Sequence, residues 1–465
     1  MKKEENNACE MKSVHSLNET AEAMSTRRGA PTARPLTETW DAMLACLHQE
    51  VKPATGCTEP ISLAYASAVA AEHLHQPIEK IEAKVSPNMM KNGMAVTVPG
   101  TGTPGLYIAA AVGALGGDPH GGLQVLQHLA PAAVQAGKQL VADGKVSVEI
   151  ADVPNVLYSE AKVYGGGHTA RVCIADDHTR VVRIEEDGQT VFDLPERKSS
   201  DGSPEEQFLN SLTLRDIYQF ATEVPLNKIA FMAEAATLNE ALAQAGLTEQ
   251  YGHSIGYTMQ EEMKTGFLSP ALQDTIIMQT AAASDARMGG APLPAMTNSG
   301  SGNQGITATM PVVVTAKWVK ANQEQLIRAL TLSHLTAIYI HSFLPKLSAL
   351  CACGTAAMGA ATGMAWLLGG DFSAVQNTIS NMTGDHIGMV CDGAGNSCTL
   401  KVATACDAAC RAVMLSRHQI RVTGTEGLVS NDADESIRNI GDLAKKGMEQ
   451  TDKEILHIML NKNKL

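Results

Sequence analysis

Hydrophobic positions change period twice along this chain. From Thr37 through Trp40, Leu44 and Leu47 they fall at helical spacing, with Thr37 as N-cap, and Pro53 ends the run. A second helix is expected after Thr58, the expected cap, with Pro60 in its first turn, continuing to His73. Between Ile78 and Phe192 alternation takes over. Strands are expected at 81–85, 95–98, 146–150, 161–164, 170–175 and 180–185, the last four as an antiparallel run. Helices are expected at 105–114 and 121–142. Beyond Leu212 the helical period returns, with Gly-rich breaks at 289–305, 384–388 and 393–395.

These periods imply an α+β protein: a largely α-helical catalytic domain with a smaller α+β domain formed by a segment of the N-terminal half. Residues 1–37 are polar and aperiodic and read as a disordered tail. Residues 38–77 form a helical segment that joins the main domain, 78–195 the α+β domain, 196–208 an exposed linker and 209–465 the helical domain. At 465 residues, two domains are the default.

Composition narrows the function classes. Hydrophobic residues make up 44% of the chain but aromatics only 4%, so helices must meet through Ala, Gly and Met. A net charge of −13 argues against nucleic acid or an anionic membrane as partner. The N-terminus carries no apolar stretch that would serve as a secretory signal, and 355–368 is too short to span a bilayer. The ten cysteines have no regular spacing, so reduced thiols in a soluble cytoplasmic protein are expected.

Three of those cysteines carry the most chemistry. Cys351 follows Ser348-Ala349-Leu350, while Cys391 and Cys398 bracket Asp392-Gly393-Ala394-Gly395-Asn396-Ser397. A thiol held by a helix and two thiols on one Gly/Asn loop can converge, and three thiolates at a point suit an iron–sulfur cluster with an open iron. The C-x6-C spacing is not that of a zinc ribbon or bacterial ferredoxin, and buried free cysteine is common as a small hydrophobe. Cys353 rivals Cys351, although residues i and i+2 of a helix face different sides. Cys9, Cys46, Cys173, Cys406 and Cys410 read as structural. Cys57, ahead of a helix, has three readings: a packed loop cysteine, a general base with its pKa lowered by the helix terminus, or a fourth cluster ligand.

Gly300-Ser301-Gly302-Asn303-Gln304-Gly305 matches G-x-G-x-x-G in form only, because Pro292 and Pro294 and the turn at Thr297-Asn298 stand where a strand is required. A Gly/Ser/Asn loop entering a helix still offers N–H groups and hydroxyls to an anion, with Ser299, Gly300, Ser301 and Asn303 as contacts. Ser86, Asn88 and Lys91, between two strands, are further substrate-binding candidates, against the alternative of a solvated loop lysine. Asp285 and Arg287 read as an internal ion pair that shapes the pocket, with direct contact to substrate as the equal alternative. His334 and His341 read as helix-packing residues, and His386 as an acid–base candidate.

The chain resembles the L-cysteine desulfidase family, relatives of the α chain of the iron–sulfur L-serine dehydratases. The segments that carry the resemblance are Glu50 to Pro60, Ser86 to Gly93, Ser284 to Gly290, Asn298 to Gly305 and the two cysteine segments. It extends from about Trp40 to about Leu460. The resemblance implies a [4Fe–4S] cluster on Cys351, Cys391 and Cys398, picks Cys351 over Cys353, and favours a functional Cys57. It also implies β-elimination on a small amino acid: L-cysteine to sulfide, ammonia and pyruvate first, L-serine dehydration second. A non-catalytic iron–sulfur redox or sensor protein and a metal-free thiol-packed protein are the other classes. A homodimer is open to it.

Overall fold

The computed structural model describes residues 36–194 and 203–462. The tail expectation for 1–37 falls almost wholly outside them, as does most of the linker expectation. The described end of that linker, from Pro204, is helical: Ser203 caps Pro204–Ser211 through a reciprocal box with Glu206. The chain divides into a short unit, Met1–Ala42, described only as the first turns of the helix Leu36–Glu50, and one large unit, Met43–Leu465.

Within the large unit a six-stranded sheet runs in the order Val146–Ile150, Lys80–Val85, Tyr158–Gly165, His168–Ala175, Val181–Glu186, Gln189–Asp193. Tyr158–Gly165 alternates half-buried and buried positions, as one covered face requires. The helices Thr58–Leu74 and Leu106–Gly116 supply that cover, with Leu63, Val69, Ala70 and Leu106 against Ile81, Ala83, Val85, Ala161 and Val163. One expectation is corrected. Val146–Ile150 pairs parallel to Lys80–Val85, not antiparallel. The helices Leu106–Gly116 and Pro131–Ala142 between these strands form the crossover that a parallel pair needs. The strand expected at 95–98 shrinks to Thr97–Val98, paired with Thr103–Pro104. The segment expected as a loop between strands is the short helix Pro87–Gly93, with Ser86 accepting from Met89 N–H and Pro87 at its start.

The remainder is helical, and its cores are small-residue contacts. Helix Ala352–Leu367 lies so close to Gln323–Ser342 that a Cβ on Gly359 would sit 2.3 Å from the Ser333 carbonyl oxygen. A Cβ on Gly363 would come within 2.7 Å of Ala329 O. Low aromatic content and close helix approach are thus one fact seen twice. The fold class is α+β, and no described helix is long and apolar enough to cross a membrane.

Because the obstructing atom at Gly359 is backbone, Gly359→Ala should destabilise by at least about 1–3 kcal/mol, the usual range for overpacking. Urea unfolding measures this; a neutral result would mean the helices can part without cost.

Candidate functional site

Two extended segments meet before the cysteine loop. Leu350 and Val390 form an isolated antiparallel bridge; Cys351 N–H donates to Met389 O at 3.0 Å and Cys391 N–H to Ala349 O at 2.8 Å. Cys351 is the N-cap of Ala352–Leu367, and Cys398 is the first residue of Cys398–Arg417. The Cys398 thiol points back to Gly393 O at 3.7 Å. Gly393 has φ +99°, and a Cβ there would lie 2.6 Å from Lys91 O. Only glycine permits that contact.

The thiols sense one another. Burial pushes Cys398 up to about 12, with Cys351, Cys391 and Cys57 each adding to the rise. Burial also raises Cys391, opposed by Lys91 and Lys401. Cys351 is drawn down to about 7, chiefly by a hydrogen bond with Cys353. Cys353 therefore does not face away from Cys351, as helix geometry would require. Cys351 sits in the cap with extended backbone, at φ −70° and ψ 119°, so the i, i+2 rule does not reach it.

Cys57 itself, not Thr58, caps Thr58–Leu74, and its side chain makes no capping bond. It is 2% exposed, with Sγ 3.6 Å from Met288 Sδ, in a small cluster with Val96 that Ala394 and Cys398 also contact. The expected drop in its pKa is not seen. Burial pushes it up to about 11, against the pull of the neighbouring Arg287 guanidinium.

The 299–303 loop is fixed from behind. Pro53–Thr55 pairs antiparallel with Pro294–Met296, and Ser299 N–H donates to Glu50 O at 3.2 Å, so the loop travels with the chain leading to Cys57. Ser299 and Gly300 both have positive φ, at 48° and 77°. Ser301 caps Gly302–Trp318 by accepting from Gln304 N–H. Ser299 Oγ donates to Asn298 Oδ1, and the Asn298 amide donates to His334 Nδ1 at 3.1 Å. Thr309 Oγ1 gives its proton to Gly305 O, so it accepts from His334 Nε2 at 2.9 Å. His334 is fully buried and held neutral, its pKa lowered to about 3 by burial. Its role is to position the loop. Ser284 Oγ donates to Asn303 Oδ1 at 3.2 Å and shares a 3.0 Å hydrogen bond with Thr399, which ties the loop to the Cys398 helix.

Ser86, Asn88 and Lys91 are placed differently. Ser86 is fully buried and donates to Val156 O. Asn88 reaches Leu347 O and Asp452, each at 3.5 Å. Lys91, 1% exposed, donates to Asp452 at 2.6 Å and Cys391 O at 3.2 Å. No hydrogen bond of these three side chains reaches the 299–303 loop. The Asp285–Arg287 ion pair is also absent. Asp285 accepts from Gly256 N–H at 3.0 Å, and Arg287, two residues on, faces Cys57 and Gly302.

His386 lines both a small cavity of about 20 Å³ beside Cys351 and an open cleft of about 410 Å³ walled by Asp385, Leu400 and Lys401. Its Nε2 has no partner. His341 is half-buried, and the cover over its ring lowers its pKa to about 4. His178, missed in the sequence, comes from the turn after His168–Ala175, and its imidazole lies against Gly300. A lone His at a hairpin tip carries no local signal of that contact. Among the described residues no group of three or more His, Cys, Asp or Glu is drawn in tightly enough to hold a metal ion.

Among the described residues, Lys91–Asp452 is the more buried of the charge pairs touching the cysteine loop, the other being Lys401–Asp392. Asp452→Asn should cost about 3 kcal/mol, the low end for breaking a buried pair, because Asp452 keeps 20% of its side-chain surface. Adding Lys91→Met should restore most of it in a urea double-mutant cycle. A neutral Asp452→Asn would show the ammonium finding another partner.

The comparisons with known proteins agree with this frame. Residues 120–457 match the family model described as serine dehydratase alpha chain. A UPF0597 protein of Chromobacterium violaceum is 57% identical over 91% of this chain and 98% of its own. One from Actinobacillus pleuropneumoniae is 52% identical over 91% and 98%, and the UPF0597 protein YhaM of Shigella sonnei 52% over 93% and 99%. By the family match over well over half its length, and by these relatives, the chain belongs to the serine dehydratase alpha chain family.

Proposed function

We propose that this chain catalyses β-elimination of a small amino acid, L-cysteine first, giving sulfide, ammonia and pyruvate, with Cys351, Cys391 and Cys398 as ligands of a [4Fe–4S] cluster. The observation that carries this reading is the meeting of the Cys391–Cys398 loop with Cys57 and the 299–303 loop around the end of the helix Leu272–Met288, with the Cys351 segment bridged to that cysteine loop. The donor set is soft and suits iron–sulfur chemistry. When bound, such a cluster supplies a Lewis acid that accepts charge from a carboxylate and a leaving heteroatom.

The chain's own residues do the rest. The Gly300 and Asn303 N–H groups and the Ser301 hydroxyl orient the substrate anion, while Ser299, whose N–H and hydroxyl are held by Glu50 O and Asn298 Oδ1, sets the shape of the loop. Cys57 takes the Cα proton in its thiolate form, which burial opposes and the neighbouring Arg287 guanidinium favours; the Cα–H electrons form the Cα=Cβ bond, the Cβ–S electrons leave with sulfur, and the resulting aminoacrylate tautomerises and hydrolyses to pyruvate and ammonia. Burial of Cys57 keeps water from the proton it holds. L-Serine dehydration by the same steps is the second reading, favoured by the description of the matching family.

Protein purified without oxygen should contain iron and acid-labile sulfide and release sulfide and pyruvate in equal amounts from L-cysteine. Cys391→Ala should lose iron and activity together, while Cys406→Ala keeps both. Iron-free protein, or iron retained in Cys391→Ala, would sink the ligand assignment. Pyruvate from L-serine alone would move the reading to the dehydratase. Cys57→Ser should retain iron yet turn over about 10²–10⁴-fold more slowly; a rate within tenfold of wild type would remove Cys57 from the base role.

A further inference from the structure

Arg287 is a buried cation with no anion paired to it among the described residues. It is 4% exposed, in the last turn of Leu272–Met288. Its Nε has no hydrogen-bond partner, and Nη1 reaches only Met288 Sδ, a weak acceptor, at 3.3 Å. The nearest acid in sequence, Asp285, is engaged with Gly256 N–H. No carboxylate pairs with Arg287 among the described residues, and the Cys57 thiol lies beside it. A buried guanidinium without a counter-ion costs several kcal/mol, so a fold keeps one where an anion arrives to complete it.

The surroundings show from which side. A Cβ on Gly302 would lie 2.1 Å from Arg287 Nε, so loop backbone and guanidinium are in direct apposition. Gly302 opens the helix Gly302–Trp318, whose first N–H groups have no intrahelical acceptor. We propose that Arg287 is the anchor for the substrate's α-carboxylate, which it grips as a planar two-toothed donor while the Gly302 and Asn303 N–H groups close on the same anion. This rests on the elimination reading above and deepens it. A carboxylate carbon is bonded directly to Cα, so an anchor touching Cys57 delivers the Cα–H to the group that removes it. The site is thereby selective for α-amino acids over amines and amides of the same shape.

The test uses the anaerobically purified protein with L-alanine, which has the carboxylate but no leaving group, and L-alaninamide, which lacks the anion. L-Alanine should raise the melting temperature of wild type and L-alaninamide should not. Arg287→Met should be at least as stable as wild type without ligand, because it removes an unpaired charge, and should lose the L-alanine response. Arg287→Lys, which keeps the charge but not the fork, should raise KM for L-cysteine by about 10²-fold with a smaller change in kcat. Arg287→Met that binds L-alanine like wild type, or wild type without a carboxylate-dependent shift, overturns the anchor. If that shift appears and vanishes with Arg287 while L-cysteine yields no sulfide, the anchor stands and the elimination reading falls.

Discussion

Two backbone hydrogen bonds across the Leu350–Val390 bridge hold the cysteine region in place. They join a segment capping one helix to a segment that leads, seven residues later, into another. Strand pairing of this length has little stability by itself. It persists because both helices it leads into are locked by close packing, Ala352–Leu367 through Gly359 and Gly363, Cys398–Arg417 through Ser284 and Thr399. The position of each thiol is therefore inherited from helix packing and not from the flexibility of a loop.

The polar atoms behind the 299–303 loop follow the same rule. Asn298, His334, Thr309 and the Gln304 Nε2 group are joined in a buried network, so the loop keeps positive φ angles that open chain would not hold. Arg287 departs from the rule. His334 is satisfied on both ring nitrogens, whereas Arg287 Nε, a charged group beside the same loop, has no partner among the described residues.

Much of this was legible in the residues. Alternation located Lys80–Val85 and Val146–Ile150, and the Gly/Asn content of 392–396 marked the cysteine turn. Alternation cannot reveal strand direction, which depends on the crossover, and the helix Pro87–Gly93 was hidden by its shortness although Ser86 and Pro87 are ordinary start signals. The Asp285–Arg287 pairing failed for a helical reason: two residues apart, they face opposite sides. Cys57 was read from its helix terminus alone, and burial outweighs that terminus. His178 at Gly300 and Asp452 at Lys91 depend on contacts far apart in sequence, which no local pattern encodes.

The last of these has a temporal side. Lys91 waits 361 residues for the acid that neutralises it, and Asp452 lies in the final described helix, Glu449–Asn461. At about 5–20 residues per second of synthesis, the ammonium that supports the Cys391 carbonyl has no counter-ion for roughly 20–70 s. The sheet, its covering helices and most of the helical framework can be built in that interval. The chain thus assembles its scaffold before it closes the end that bears its most reactive side chains, and a ribosome that stops short of Glu449 leaves that end open.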